Sequence, residues 1–101
     1  MRILCFIPFF NEEENLKNLI ERINIHNYKI DEFLFVNSGS TDDSLNIVKK
    51  TNYKYLDLNG NKGLGYLFIK AINYAQTNNF DVLVVLLGNN KMNPKDFKTV
   101  L

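Results

Sequence analysis

Apolar residues follow two alternating rhythms along this chain. Ile3, Leu4, Cys5, Phe6 and Ile7 are continuously apolar, the pattern of a strand covered on both faces, which predicts a strand over Arg2 to Pro8, with Pro8 marking its end. Past the acidic run Glu12-Glu13-Glu14, Leu16, Leu19, Ile20 and Ile23 recur at helical spacing, and Asn11 followed by Glu14 resembles a cap with a reciprocal acidic partner. The unit then repeats. Phe33, Leu34, Phe35 and Val36 predict a strand over Glu32 to Asn37, Ser38-Gly39-Ser40 a turn, and Ser40 or Thr41 a cap for a helix through Val48 with Asp42 and Asp43 in its first turn. A third short strand is predicted over Lys54 to Leu58, a loop over Asn59 to Gly63, and a helical stripe through Leu64, Leu67, Phe68, Ala71, Tyr74 and Ala75. A fourth strand covers Asp81 to Leu87, and Asn93-Pro94 reads as the start of a last helix carrying Asp96, Phe97, Val100 and Leu101.

Strands that alternate with helices predict an α/β fold: a Rossmann-like parallel sheet of about four strands, in spatial order 3-2-1-4, with right-handed crossovers and helices on both faces. Residues 1–101 fit one domain, which at this size buries roughly 60 to 65% of its extended-chain surface. Ligands of such sheets bind beyond the carboxyl ends of the strands, near the switch in strand order. The loops of interest are therefore Pro8 to Glu14, Asn37 to Asp43, Asn59 to Gly65 and Leu87 to Pro94. Lys62, Gly63 and Gly65 put a cation and flexible backbone at a helix start, an arrangement that can hold phosphate; a tight turn beside a water-facing lysine gives the same residues.

Composition narrows the partners. Hydrophobic residues make up 46% and charged residues 23%, an ordinary globular balance, so disorder is a poor reading. With 12 Lys and Arg against 11 Asp and Glu, the net charge of +1 gives no general field for nucleic acid, and no basic stripe accompanies Tyr53, Tyr55, Phe68, Tyr74 and Phe80, which are spaced as core or half-buried residues. The apolar runs are far shorter than the roughly 20 residues needed to span a bilayer. The start of the chain lacks a small-residue cleavage site, and the single Cys5 lies in an apolar strand, which together predict a cytoplasmic, reducing setting. The sole histidine, His26, follows the first helix on the side away from the predicted site, so no Ser-His-Asp arrangement is available. The 16 asparagines are scattered, a compositional bias and not a binding tract.

At the predicted binding loops the chain resembles the nucleotide-sugar glycosyltransferases of GT-A fold, especially family 2 members acting on lipid-phosphate acceptors. Three ordered segments carry the resemblance: Ile7-Pro8-Phe9-Phe10-Asn11-Glu12, Val36-Asn37-Ser38-Gly39-Ser40-Thr41-Asp42, and Asn61-Lys62-Gly63-Leu64-Gly65 with the helix behind it. It covers essentially all of this chain but only the donor-binding half of such an enzyme, and implies a partial GT-A fold. The implied ligand-contacting residues are Pro8, Asn11, Glu12, Asn37, Ser38, Gly39, Lys62, Gly63, Asn89 and Lys91.

The departures fall where that chemistry would be done. Asn37 and Ser38 stand where the family carries two aspartates, and an amide offers one carbonyl oxygen and a donor where a carboxylate only accepts, which leaves the donor's identity open. The Asp-x-Asp motif that holds magnesium or manganese in related enzymes is replaced by Leu87-Gly88-Asn89, so no metal site is expected. Lys91 could offset diphosphate charge as a point cation; an exposed loop lysine is the plainer reading. Asp57 and Asp81 are not expected to replace the missing carboxylates.

The resemblance therefore implies nucleotide-sugar binding, with sugar transfer to a lipid phosphate or saccharide in a full-length parent, no nameable catalytic residue, and an inactive isolated chain. A noncatalytic nucleotide-binding remnant, or a self-associating interaction module, is the alternative. The expected partners are an acceptor domain or a second copy, because Phe97, Val100 and Leu101 need a mate.

Overall fold

The structure, a computed structural model, describes residues 1–26, 29–60, 62–87 and 98–99. Five strands, β1 (Ile3–Phe9), β2 (Glu32–Ser38), β3 (Lys54–Leu58), β4 (Val82–Val85) and β5 (Lys98–Thr99), form one sheet in the order β3-β2-β1-β4-β5. The first four are mutually parallel, as the alternation of strand and helix patterns predicts, in the expected order 3-2-1-4. β5 is an addition: it pairs antiparallel with β4, Val84 opposite Thr99 and Val85 opposite Lys98. A helix running from Asn93 to the chain end is thus corrected at these two positions, where the free edge of β4 outcompetes the local Asn-Pro signal. The rest of that segment lies outside the described residues.

Strand parity sorts the core into two layers. Cys5, Ile7, Phe9 and Phe35 point toward α1 (Glu13–His26) and α2 (Ser44–Lys49), packing against Leu16, Leu19, Ile23, Ile47 and Val48. Leu4, Phe6, Leu34, Val36, Leu83 and Val85 point the other way, onto Leu67, Ala71 and Ala75 of α3 (Leu64–Thr77). Each large apolar side chain in these layers stabilises the fold by about 1.5 to 3 kcal/mol relative to exposure, and removing a fully buried ring such as Phe35 costs about 3 to 5 kcal/mol. Burial also pushes the Cys5 thiol well up from its ordinary value, so it stays neutral and inert inside β1.

Pro8 does not end β1, which continues through Phe9. The β1–β4 ladder stops at Phe6 opposite Val85, so Pro8 sits where only β2 is paired and a missing N–H forfeits nothing to β4. α3 closes with the left-handed Asn79, whose N–H reaches the Gln76 carbonyl while the Phe80 N–H reaches Ala75, a Schellman ending that turns Phe80 into the core. Two burial expectations are revised, that of Leu64 in the helical stripe and that of Tyr55 as core or half-buried. Leu64 opens α3 but is exposed, and Tyr55 is exposed on the edge strand β3. Tyr74 is half-buried and donates to Glu32; burial first, then that hydrogen bond and the carboxylate's charge, push its phenol up to about 12.

Candidate functional site

The loops that leave β1 and β2 at their carboxyl ends are bound to each other. Asn11 adopts the left-handed region at φ 50°, which asparagine tolerates better than most residues, and this turns its side chain across to the second loop. Its amide oxygen accepts from the N–H groups of Thr41 at 2.7 Å and Asp42 at 3.3 Å, while its own N–H donates to Ser40 Oγ at 2.9 Å. The Glu12 N–H donates to the buried Ser44 Oγ at 2.8 Å, and the Glu13 N–H to Asp42 Oδ2 at 3.2 Å. Asn11 is therefore a clasp and not the cap of α1. The opening N–H of α1 is satisfied by an aspartate from the neighbouring loop, and the Glu12 carbonyl accepts the first helical bonds, from Asn15 and Leu16.

α2 also starts later than its sequence suggests. Asp43 stands at its cap position without a side-chain cap bond, and its first turn holds no acidic residue, so Asp42 and Asp43 precede the helix. Asp42 is drawn instead into the clasp. Partial burial pushes its carboxyl up, but hydrogen bonds from the Ser44 hydroxyl and from the N–H groups of Ser44, Glu13 and its own residue outweigh this and hold it below the ordinary aspartate value.

Asn37 and Ser38, at the end of β2, are both buried and both committed. The Asn37 amide nitrogen donates to Asp57 Oδ1 at 2.9 Å, across the β2–β3 register that sets the two residues side by side, and its oxygen accepts the Ser40 N–H at 3.1 Å. Asparagine suits this position because it donates on one side and accepts on the other; a carboxylate here would face Asp57 with no donor. Ser38 Oγ accepts the Lys62 N–H at 2.8 Å and lies 3.0 Å from the Lys62 carbonyl, fastening the third loop to β2. Gly39 and Gly60, both at positive φ, cross so closely that a Cβ built on Gly39 would stand 2.5 Å from the Gly60 carbonyl carbon.

Seven expected residues thus gather at the carboxyl edge of β1 and β2 or just before α3: Asn11, Glu12, Asn37, Ser38, Gly39, Lys62 and Gly63, with Pro8 one register step inside. Asn89 and Lys91 lie outside the described residues. Glu12 turns its carboxylate to Asn15, 2.8 Å away, and not toward the other loops. Asp57 was passed over in the sequence, together with Ser40, Ser44 and Gly60; the signal that finds Asp57 is strand register, which pairs it with Asn37. Two open grooves of about 460 Å³ lie away from this edge, near Ile23, Asn24, Tyr53 and the amino ends of β2 and β3, and collect none of the expected residues. Among the described residues, no three His, Cys, Asp or Glu side chains converge as a metal-holding group.

A parallel sheet in this order, with its loops gathered at the strand ends, matches the sequence pattern described as "Glycosyl transferase family 2" over residues 5–89. The chain belongs to glycosyl transferase family 2. Family 2 membership agrees with the GT-A fold of the similar solved structures. These include the mannosyltransferase PcManGT from Pyrobaculum calidifontis in complex with GDP-Man and Mn2+, at TM-score 0.74 and 18% identity, covering 87% of this chain and 27% of that one. Glucosyl-3-phosphoglycerate synthase from Mycobacterium tuberculosis, in complex with UDP, aligns at TM-score 0.72 and 20% identity over 87% of this chain and 34% of its own. TarS 1-349 from S. aureus aligns at TM-score 0.72 and 23% identity, over 88% and 28%. The chain therefore spans about a quarter to a third of the length of these structures' chains. Comparison with curated proteins gave no match. Among the described residues, no helix is long and apolar enough to cross a membrane.

Proposed function

We propose that this chain is the donor-binding part of a family 2 glycosyltransferase, taking a nucleotide-sugar at the carboxyl edge of its sheet. The observation that carries the proposal is the mutual fastening of the three loops after β1, β2 and β3, which presents prearranged polar groups at the place where open α/β sheets bind ligands. In this reading Pro8, Asn11 and Glu12 orient the nucleotide, and Asn37, Ser38 and Gly39, backed by Asp57, meet its base or ribose. Lys62 and Gly63 lie at the start of the 14-residue α3, whose N-cap is Gly63, so in this reading a cation and the first N–H groups of the helix meet the diphosphate. Asn89 and Lys91 complete the diphosphate side.

Divalent metal chemistry does not fit the donor set. Leu87 offers an apolar side chain, Gly88 none, and Asn89 a single neutral oxygen, so no step is assigned to magnesium or manganese. In a full-length parent the reaction is sugar transfer to a lipid phosphate or saccharide, with the acceptor placed by a further domain. The 101 residues alone transfer no sugar, because lining up the reacting groups accounts for about 7 to 11 kcal/mol of barrier lowering and nothing here places an acceptor.

Calorimetric titration of the chain with UDP- and GDP-sugars tests this reading, beside an assay for sugar transfer to polyprenyl phosphate. The expected result is weak nucleotide-sugar binding, reduced severalfold by Lys62→Ala, without transfer. Absence of binding to every nucleotide-sugar sinks the donor-site reading, and acceptor-dependent transfer by the isolated chain sinks its inactivity. A noncatalytic remnant is distinguished by binding that persists while the longest natural form still fails to transfer.

A further inference from the structure

Helix α3 carries apolar residues on both sides of its first half, and its later outward residues, Asn73, Gln76 and Thr77, are polar and uncharged. Leu67, Ala71 and Ala75 fill the core, yet its outward surface is not the charged face usual for a helix on water: Tyr66 is 44% exposed, Ile69 59%, and Leu64, at its first position, 50%. The charges held against the Tyr66 ring are positive. Lys62 and Lys70 hold their ammonium groups 5.6 and 5.4 Å from the centroid of the Tyr66 ring. No acidic residue occurs between Asp57 and Asp81, although the whole chain is nearly balanced at 12 cations to 11 anions. The other side of the sheet differs: α1 exposes Glu13, Glu14 and Glu21 beside Lys17.

Aliphatic groups, one phenol and two lysines on one helix face match the boundary between lipid headgroups and acyl chains. There a tyrosine sits at headgroup depth, lysine stems lie along apolar surface with their ammonium groups at phosphates, and Leu and Ile reach inward. A second copy is a poorer occupant, because a two-fold contact through this face would bring four lysines together with no acidic residue of α3 to meet them. Nucleic acid would use the lysines and the ring but leave Leu64 and Ile69 without a role. From this charge complementarity and composition we propose that the outward face of α3 docks on an anionic lipid bilayer as a peripheral contact. The inference shares Lys62 with the nucleotide-sugar reading and otherwise stands apart from it, so the variants that test it change Lys70 and Ile69.

Co-sedimentation of the 101-residue chain with phosphatidylcholine vesicles, with and without phosphatidylglycerol, tests it. Binding is expected only with phosphatidylglycerol, weakening as salt rises. Replacing one cation near such a surface costs about fivefold in affinity, so Lys70→Gln should lose about that factor and Lys70→Glu more. Ile69→Asn, which leaves charge unchanged, should also weaken binding severalfold, while Glu21→Gln on α1 should not. All these side chains are exposed, and circular dichroism melts verify that each variant folds. Equal binding to both vesicle types, or wild-type binding by both Lys70→Glu and Ile69→Asn, overturns the proposal. So does an absence of vesicle binding, whether the face then drives concentration-dependent dimerisation or captures single-stranded DNA.

Discussion

The loops after β1 and β2 and the loop leading into α3 occupy the same edge of the sheet, but they are built differently. The first pair is cross-linked by side chains: Asn11 holds Thr41 and Asp42, Ser44 and Asp42 hold the start of α1, and Asn37 joins Ser40 to Asp57. Among the described residues, the approach to α3 is fastened mainly at one point, the Ser38–Lys62 clasp, and beyond it Gly63, the N-cap, and Gly65 have open space around them. One side of the edge fixes geometry in advance, while the other offers the first N–H groups of a helix that begins at a glycine cap. A ligand meeting both would find its orientation set by the first and its charge met by the second.

Substitutions that remove this contrast should rank by how much fixed geometry they disturb. Gly39→Ala should be the most damaging, by about 3 kcal/mol or more in denaturant unfolding, because it sets a Cβ at positive φ against the Gly60 backbone, which cannot swing aside as a side chain could. Asn11→Ala should cost about 1 to 3 kcal/mol, since it loses the bonds to Thr41 and Asp42 and a residue suited to its left-handed backbone. Asn11→Gly keeps that backbone accessible and should recover part of the loss, which separates strain from hydrogen bonding. Asn37→Asp, which restores the family's residue, should destabilise by about 1 to 2 kcal/mol at neutral pH by opposing Asp57; thermal melts at falling pH should show the loss fading as one carboxyl is protonated and donates again. Gly65→Ala, in the open first turn of α3, should be neutral or stabilising by up to about 1 kcal/mol, and a large loss there would mean that the two loop regions are not so different.

Most of the fold was legible in the sequence because strands buried on both faces read as unbroken apolar runs. Ile3 to Ile7, Phe33 to Val36 and Val82 to Leu87 announce themselves, and the helices between them dictate a parallel sheet. Local capping signals were less dependable. Asn11 and Ser40 look like helix caps, but both are spent on bonds between loops, a choice made by residues some thirty positions away. The Asn37–Asp57 pair was equally hidden, since only the register of β2 against β3 makes neighbours of residues that the chain separates by a helix. That Asn37 stands where the family carries an aspartate says nothing of the donor's task its amide nitrogen performs toward Asp57. At the far edge, β5 was masked by an Asn-Pro signature that says nothing of the unpaired strand waiting beside it.

The central place of β1 also governs how the polypeptide can be made. Its two neighbours arrive at different times: β2 follows closely, whereas Val82 of β4, opposite Ile3, lies 79 positions downstream of it. At about 5 to 20 residues per second, the ribosome takes roughly 4 to 16 seconds to supply that second neighbour. For that interval one edge of the central strand has no partner from its own chain, and the nascent protein is most exposed to wrong pairing until β4 has been translated.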